Sequence, residues 1–127
     1  MLRKLLLIAC ALALAACTSR PVMNVAAEPV VVTPGKTASA DNVRDAILRA
    51  GAGLGWHMQP MSPGVVRGTI ALRGHGAGIN VKYTAKSYDV VYVNSTNLNA
   101  ENGQIHKNYN GWIENLNRAI QRELLRI

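Results

Sequence analysis

The sequence predicts an α+β fold, a two-layer sandwich in which an antiparallel meander of three to four strands carries two helices packed on one face, in the order α-β-β-β-β-α. Three observations lead there. Apolar residues recur every three or four positions from Ala40 to Leu54 and again from Tyr109 to Leu125, the period of a helix with one buried stripe. Between these stretches, four short segments alternate apolar and polar residues and are separated by glycine- and proline-bearing turns. Only one of the two sheet faces so defined is apolar, so both helices must cover the same side. With 127 residues, 49% of them hydrophobic and 17% charged, the chain has material for one core, which excludes a multidomain enzyme and whole-chain disorder.

The elements follow in chain order. Arg3 and Lys4 precede an apolar run, Leu5 to Ala16, and the small residues Ala15 and Ala16 stand before Cys17, which are the parts of an export leader. A helix of that run is about 18 Å long against a hydrocarbon layer of roughly 30 Å, too short for a lasting span. The run Leu14-Ala15-Ala16-Cys17 resembles the lipobox of bacterial lipoproteins. That resemblance implies removal of residues 1–16 as a signal peptide, a diacylglycerol thioether on Cys17 and a fatty acyl chain such as palmitate on its amine. It also implies passage to the outer membrane, because Thr18 rather than an aspartate follows the cysteine, with the domain in the periplasm. A plain secretory leader or an uncleaved apolar anchor are the other readings of the same stretch, and a cysteine directly after Leu-Ala-Ala argues against both. Two or more fatty chains hold stably where one holds marginally.

Cysteine accounting then leaves neither a disulfide nor thiol catalysis, since Cys10 departs with the leader and Cys17 becomes a thioether. Loss of Arg3 and Lys4 leaves 12 basic against 7 acidic residues. For an exported protein that excess meets anionic lipid headgroups, lipopolysaccharide or the cell-wall polymer rather than nucleic acid.

Residues 17–37 contain Pro21, Pro29 and Pro34 with no sustained period and are expected to form a lipidated tether with a reach of about 25 Å. Within it Val30-Val31-Val32-Thr33 is β-prone, and two outcomes stay open, a loose chain or a docked edge strand. Residues 38–127 form the single domain. Its first helix runs from Ala40 to Leu54 with Ser39 as N-cap, Asp41 pairing with Arg44 and Asp45 with Arg49, and Gly51, Gly53 and Gly55 ending it. Strands are expected at Trp56–Gln59, Val65–Arg73, Ile79–Ala85 and Tyr88–Ser95, with Gly74-His75-Gly76-Ala77-Gly78 as a turn. Alternation puts Val66, Ile70, Leu72, Ile79, Val81, Tyr83, Tyr88, Val90 and Tyr92 on the core face. Arg67, Thr69, Arg73, Asn80, Lys82, Thr84 and Asp89 take the wet face. The last helix, Tyr109 to Leu125, buries Trp112, Ile113, Leu116, Ile120 and Leu124.

The most distinctive stretch is Tyr92-x-Asn94-Ser95-x-Asn97-Leu98, followed by Ile105-His106-x-x-Tyr109-Asn110-x-Trp112-Ile113-x-x-Leu116. It resembles a family of small, functionally uncharacterised proteobacterial lipoproteins, over roughly Val43 to Leu125, and the resemblance implies no activity. Two readings stand side by side. As a ligand site, Asn97, Tyr109 and Asn110 offer paired donors and acceptors, His106 a titratable ring and Trp112 a face to stack on a sugar ring or apolar group, a set suited to carbohydrate. As scaffold, Asn108 or Asn110 caps the last helix, Asn97 makes a side-chain turn and Trp112 fills the core. Arg67, Arg73 and Lys82, together with Tyr109-Asn110, form a second candidate, for an anionic glycan or lipid.

Catalytic patterns are missing. His57, His75 and His106 have no metal-ligand spacing, so neither metal nor cofactor is expected. The glycine clusters at 51–55 and 74–78 end a helix and join strands instead of cradling phosphate. The sequence therefore points to a membrane-anchored, non-catalytic binding or structural module of the cell envelope, its partners the membrane through Cys17 and an envelope protein or anionic polymer. An anionic glycan- or lipid-binding protein is the first alternative, and a small cell-wall hydrolase with His106 as base the second.

Overall fold

Ser39 opens the first helix as expected: its hydroxyl accepts the Asn42 N–H at 3.0 Å while the Asn42 carboxamide accepts the Ser39 N–H at 3.0 Å, a reciprocal cap. The computed structural model describes residues 17–127, so the leader expected at residues 1–16 lies outside the described residues. Among the described residues, two full helices, α1 (Ala40–Gly53) and α2 (Lys107–Leu124), accompany seven strands: β1 (Ser19–Pro21), β2 (Val25–Pro29), β3 (His57–Ser62), β4 (Val65–Leu72), β5 (His75–Tyr83), β6 (Ser87–Thr96) and β7 (Gln104–His106). The fold is α+β. Strands β3 to β6 form the meander, and β2 adds to it as an edge, giving the antiparallel order β2-β6-β5-β4-β3. A separate two-stranded ladder pairs β1 with β7.

One core lies between the helices and one sheet face. Val43, Ala46, Ile47 and Ala50 from α1, Val66, Ile79, Val81, Tyr88 and Val90 from the sheet, and Tyr109, Ile113, Leu116, Ile120 and Leu124 from α2 are all buried in it. Each fully buried aliphatic side chain contributes about 1.5–3 kcal/mol, and this burial, with no disulfide among the described residues, holds the domain. The predicted core face is largely observed, with one correction: Leu72 is 48% exposed, at the tip of the β4–β5 hairpin beyond the buried cluster. Trp112 is half-buried at the edge of the core.

The hairpin tip is a second correction. Gly76, Ala77 and Gly78 are strand residues, not a turn, and the reversal is only Arg73-Gly74, whose φ angles of +52° and +78° suit a two-residue hairpin. Asn94 occupies the space a Gly78 side chain would need, so that glycine serves close packing on the sheet surface. In α1, Arg44 takes both Asp41 and Asp45, at 3.3 and 3.1 Å, while Arg49 reaches across to Glu123 of α2 at 3.1 Å. The expected Asp45–Arg49 pair is therefore replaced by a contact between helices.

The largest departure concerns the expected tether at 17–37, because Ser19–Pro29 belongs to the fold. Ser19 and Arg20 pair with His106 and Ile105, and Val25 pairs with Val90. An edge strand needs only backbone partners on one side, so proline and the absence of alternation do not exclude it. Ala27, at φ +50°, forms a bulge between Val25 and Glu28 and donates its N–H to the Asp89 carboxylate. Gln121 of α2 donates to Glu28 at 2.6 Å. Of the run Val30 to Thr33, only Val30 continues the pairing, with its N–H on the Lys86 carbonyl at 2.9 Å; Val31 is 61% exposed and Thr33 donates its hydroxyl to the Leu125 carbonyl at 3.0 Å.

Candidate functional site

The Asn-rich stretch forms one corner of the molecule, where β6 ends, a loop turns back into β7 and α2 begins. Asn97 lies in the left-handed region at φ +58°, which asparagine tolerates. Its carboxamide donates to the Gly74 carbonyl at 2.7 Å, and its own carbonyl meets His75 Nδ1 at 2.7 Å. Asn97 thus ties the end of β6 to the β4–β5 hairpin, and His75 is half-buried in a strand rather than placed in a turn. Leu98 plugs the corner at 2% exposed, and its carbonyl accepts the His106 N–H at 2.8 Å. Asn99, Asn102 and Gly103 follow at φ +52°, +51° and +73°, bringing the loop round to Ile105, which is fully buried.

His106 is the N-cap of α2: its Nδ1 accepts the Asn108 N–H at 3.1 Å, the role expected of Asn108 or Asn110. The helix consequently starts at Lys107, two residues before the predicted Tyr109. Tyr109 is fully buried, its ring edge-on to Tyr92 with centroids 5.5 Å apart, and its hydroxyl has no hydrogen-bond partner. Burial pushes the Tyr109 phenol above its ordinary range, and the nearby Tyr92 adds to this. Asn110 clamps the N-terminal segment, donating to the Pro21 carbonyl at 2.9 Å and accepting the Met23 N–H at 3.0 Å.

The predicted set therefore does not converge. An open cleft of about 590 Å³ beside the corner is lined by Thr18, Ser19, Asn99, Glu101, Asn102 and His106, among others, but not by Asn97, Tyr109 or Asn110. The basic candidates are dispersed as well. Arg67 donates to Asn80 on the same face at 2.7 Å, Lys82 sits directly across from Asp89, and Arg73 occupies the hairpin turn, six residues or about 20 Å along β4 from Arg67. Among the described residues, no three of His, Cys, Asp and Glu are grouped so as to hold a metal ion.

Two residues that tie β6 to its neighbours carried no sequence signal. Asn24 accepts the Tyr92 N–H at 3.0 Å, and Asn117 accepts the Tyr88 hydroxyl. A lone asparagine between helical or irregular neighbours looks like any solvated residue until a distant strand is laid against it. Tyr88 itself is held above its usual phenol range, chiefly by burial and further by Glu28. No known protein family, curated protein or solved structure matches this chain.

Proposed function

We propose that the protein is a lipid-anchored, non-catalytic module of a bacterial envelope, held at the outer membrane with its domain in the periplasm. The observation that carries this reading is Leu14-Ala15-Ala16-Cys17 at the end of a charged and then apolar leader, with Cys17 exposed outside the core. No helix among the described residues is long and apolar enough to cross a membrane. In this reading attachment comes through the acylated cysteine. Asn97, His106 and Asn110 are already engaged as a hairpin tie, a helix cap and a clamp on the N-terminal segment, which favours a scaffold that presents a surface over a reaction centre.

The test is direct. Protein isolated from membranes of an expressing bacterium should lack residues 1–16 and carry diacylglycerol and acyl mass on its Cys17 fragment. The Cys17→Ser variant should lose that mass, lose labelling by palmitate and leave the membrane fraction. A bare Cys17 in the native material would refute the proposal.

A further inference from the structure

We infer that the domain does not swing on a tether but lies against the bilayer by one fixed face, formed by Cys17–Ser19, the 97–103 loop and the start of α2. This rests on the lipid-anchor reading and adds an orientation to it. The partner is the phospholipid headgroup layer of the membrane that receives the acyl chains.

The reasoning begins with chain length. Only Thr18 separates Cys17 from Ser19, which already pairs with His106 in the β1–β7 ladder. One extended residue spans about 3.5 Å, whereas the twenty-residue coil expected from the sequence would reach about 25 Å. The backbone carrying the sulfur is held further by Arg20, whose guanidinium donates to the carbonyls of Cys17 and Ser19, each at 2.8 Å. Behind β1 the segment stays bonded without a gap: Val22 N–H to the Gly103 carbonyl at 2.9 Å, Asn110 to Pro21 and Met23, Asn24 to Tyr92, then β2 in the main sheet. Releasing Cys17 from the domain means opening the β1–β7 ladder and the Arg20 bonds, and the contacts behind them limit the slack to a few residues.

The chemistry of the face suits headgroups. The cleft beside Thr18 and Ser19 presents Asn99, Asn102, Gln104 and His106, and an adjoining one presents Arg20, Lys107 and Asn108, with Glu101 and Glu114 as the acids. Polar donors and mixed charges of this kind meet phosphate and glycerol oxygens without entering hydrocarbon. The exposed large hydrophobics, Val31, Leu54, Met61, Leu72, Val93 and Leu125, belong to none of these segments. The face therefore rests on the headgroup layer, and the far end of the sheet, with the Thr84–Lys86 turn, points away.

The test uses the full chain, processed in bacteria and reconstituted in vesicles of phosphatidylethanolamine and phosphatidylglycerol that contain a nitroxide-headgroup lipid. A fluorophore is placed on Asn102→Cys or, separately, on Lys86→Cys; the lipidated Cys17 does not label. The ten residues of β6 set the two positions about 30 Å apart. Quenching should be several-fold stronger at position 102 than at 86, and a twelve-residue Gly-Ser insert after Thr18 should abolish the difference while flotation persists. Equal quenching at the two positions in floating, acylated protein, or the reverse order, overturns the orientation and leaves the anchor intact. Protein that neither floats nor carries lipid on Cys17 overturns the anchor, and the orientation with it.

Discussion

Tyr88 and Tyr109 are chemically identical, buried side chains that should respond differently to loss of one oxygen. Tyr88 is 1% exposed and donates its hydroxyl to Asn117, whereas Tyr109 is 0% exposed and its hydroxyl meets no partner. Tyr88→Phe removes a hydrogen bond and strands a half-buried carboxamide oxygen, a cost of about 1–2 kcal/mol. Tyr109→Phe removes a hydroxyl desolvated without compensation, so its effect should lie between neutrality and a gain of about 1 kcal/mol. Helix propensity barely distinguishes the two residue types, which leaves the hydroxyl as the difference at Tyr109. The assay is urea unfolding of residues 17–127 bearing Cys17→Ser. At a slope near 1.5 kcal/mol/M, the midpoints of the two variants should stand about 0.7–2 M apart, with the slopes unchanged. A loss of more than about 1 kcal/mol in Tyr109→Phe would refute the reasoning, since only a hydroxyl with a strong partner is missed that much.

Alkali should weaken the fold through the same two phenols. Both are raised in the folded protein, so above about pH 10 the unfolded chain releases protons that the native chain retains, and stability falls as pH rises. Either Phe variant should show a shallower fall between pH 9 and 11 in the same urea assay, and an unchanged slope would count against buried titration. Gly74→Ala should cost about 1–2 kcal/mol because φ is +78° there, while Gly53→Ala, in open space in the last turn of α1, should gain up to about 1 kcal/mol; thermal melts of both variants read the contrast. Asn110→Ala should cost about 1–3 kcal/mol and speed hydrogen exchange at the Met23 amide well before the core amides, as measured by NMR. His106→Ala should cost about 1 kcal/mol as a lost cap and His106→Asp much less; equal losses in calorimetry would show that capping is not its role.

Those residues also show which parts of the structure were legible in sequence. Ser39 and the stripe Val43, Ala46, Ile47, Ala50 were readable because capping and helical burial depend on residues within four positions of one another. The four meander strands were readable for the same reason, although a glycine pair in β5 was mistaken for a turn. Glycine marks reversal and close packing equally, and only the neighbouring Asn94 distinguishes them at Gly78. The candidate site was legible as composition and not as geometry. Asn97, His106, Tyr109 and Asn110 were picked out together, yet they are placed respectively on a hairpin carbonyl, at a helix cap, in the core and on the N-terminal segment.

Local sequence by itself determined the fold class, both helices, the apolar sheet face and the leader-like start ending at Cys17. Tertiary structure alone decided the fate of Ser19–Pro29, because its partners Val90, Ile105, Asn110 and Gln121 lie more than sixty positions away along the chain. Periodicity records which way a side chain faces and is silent about which distant backbone will accept an edge strand. That choice follows from the free hydrogen-bonding edge of β6 and the carboxamides set beside it, which exist only once the sheet and α2 have formed.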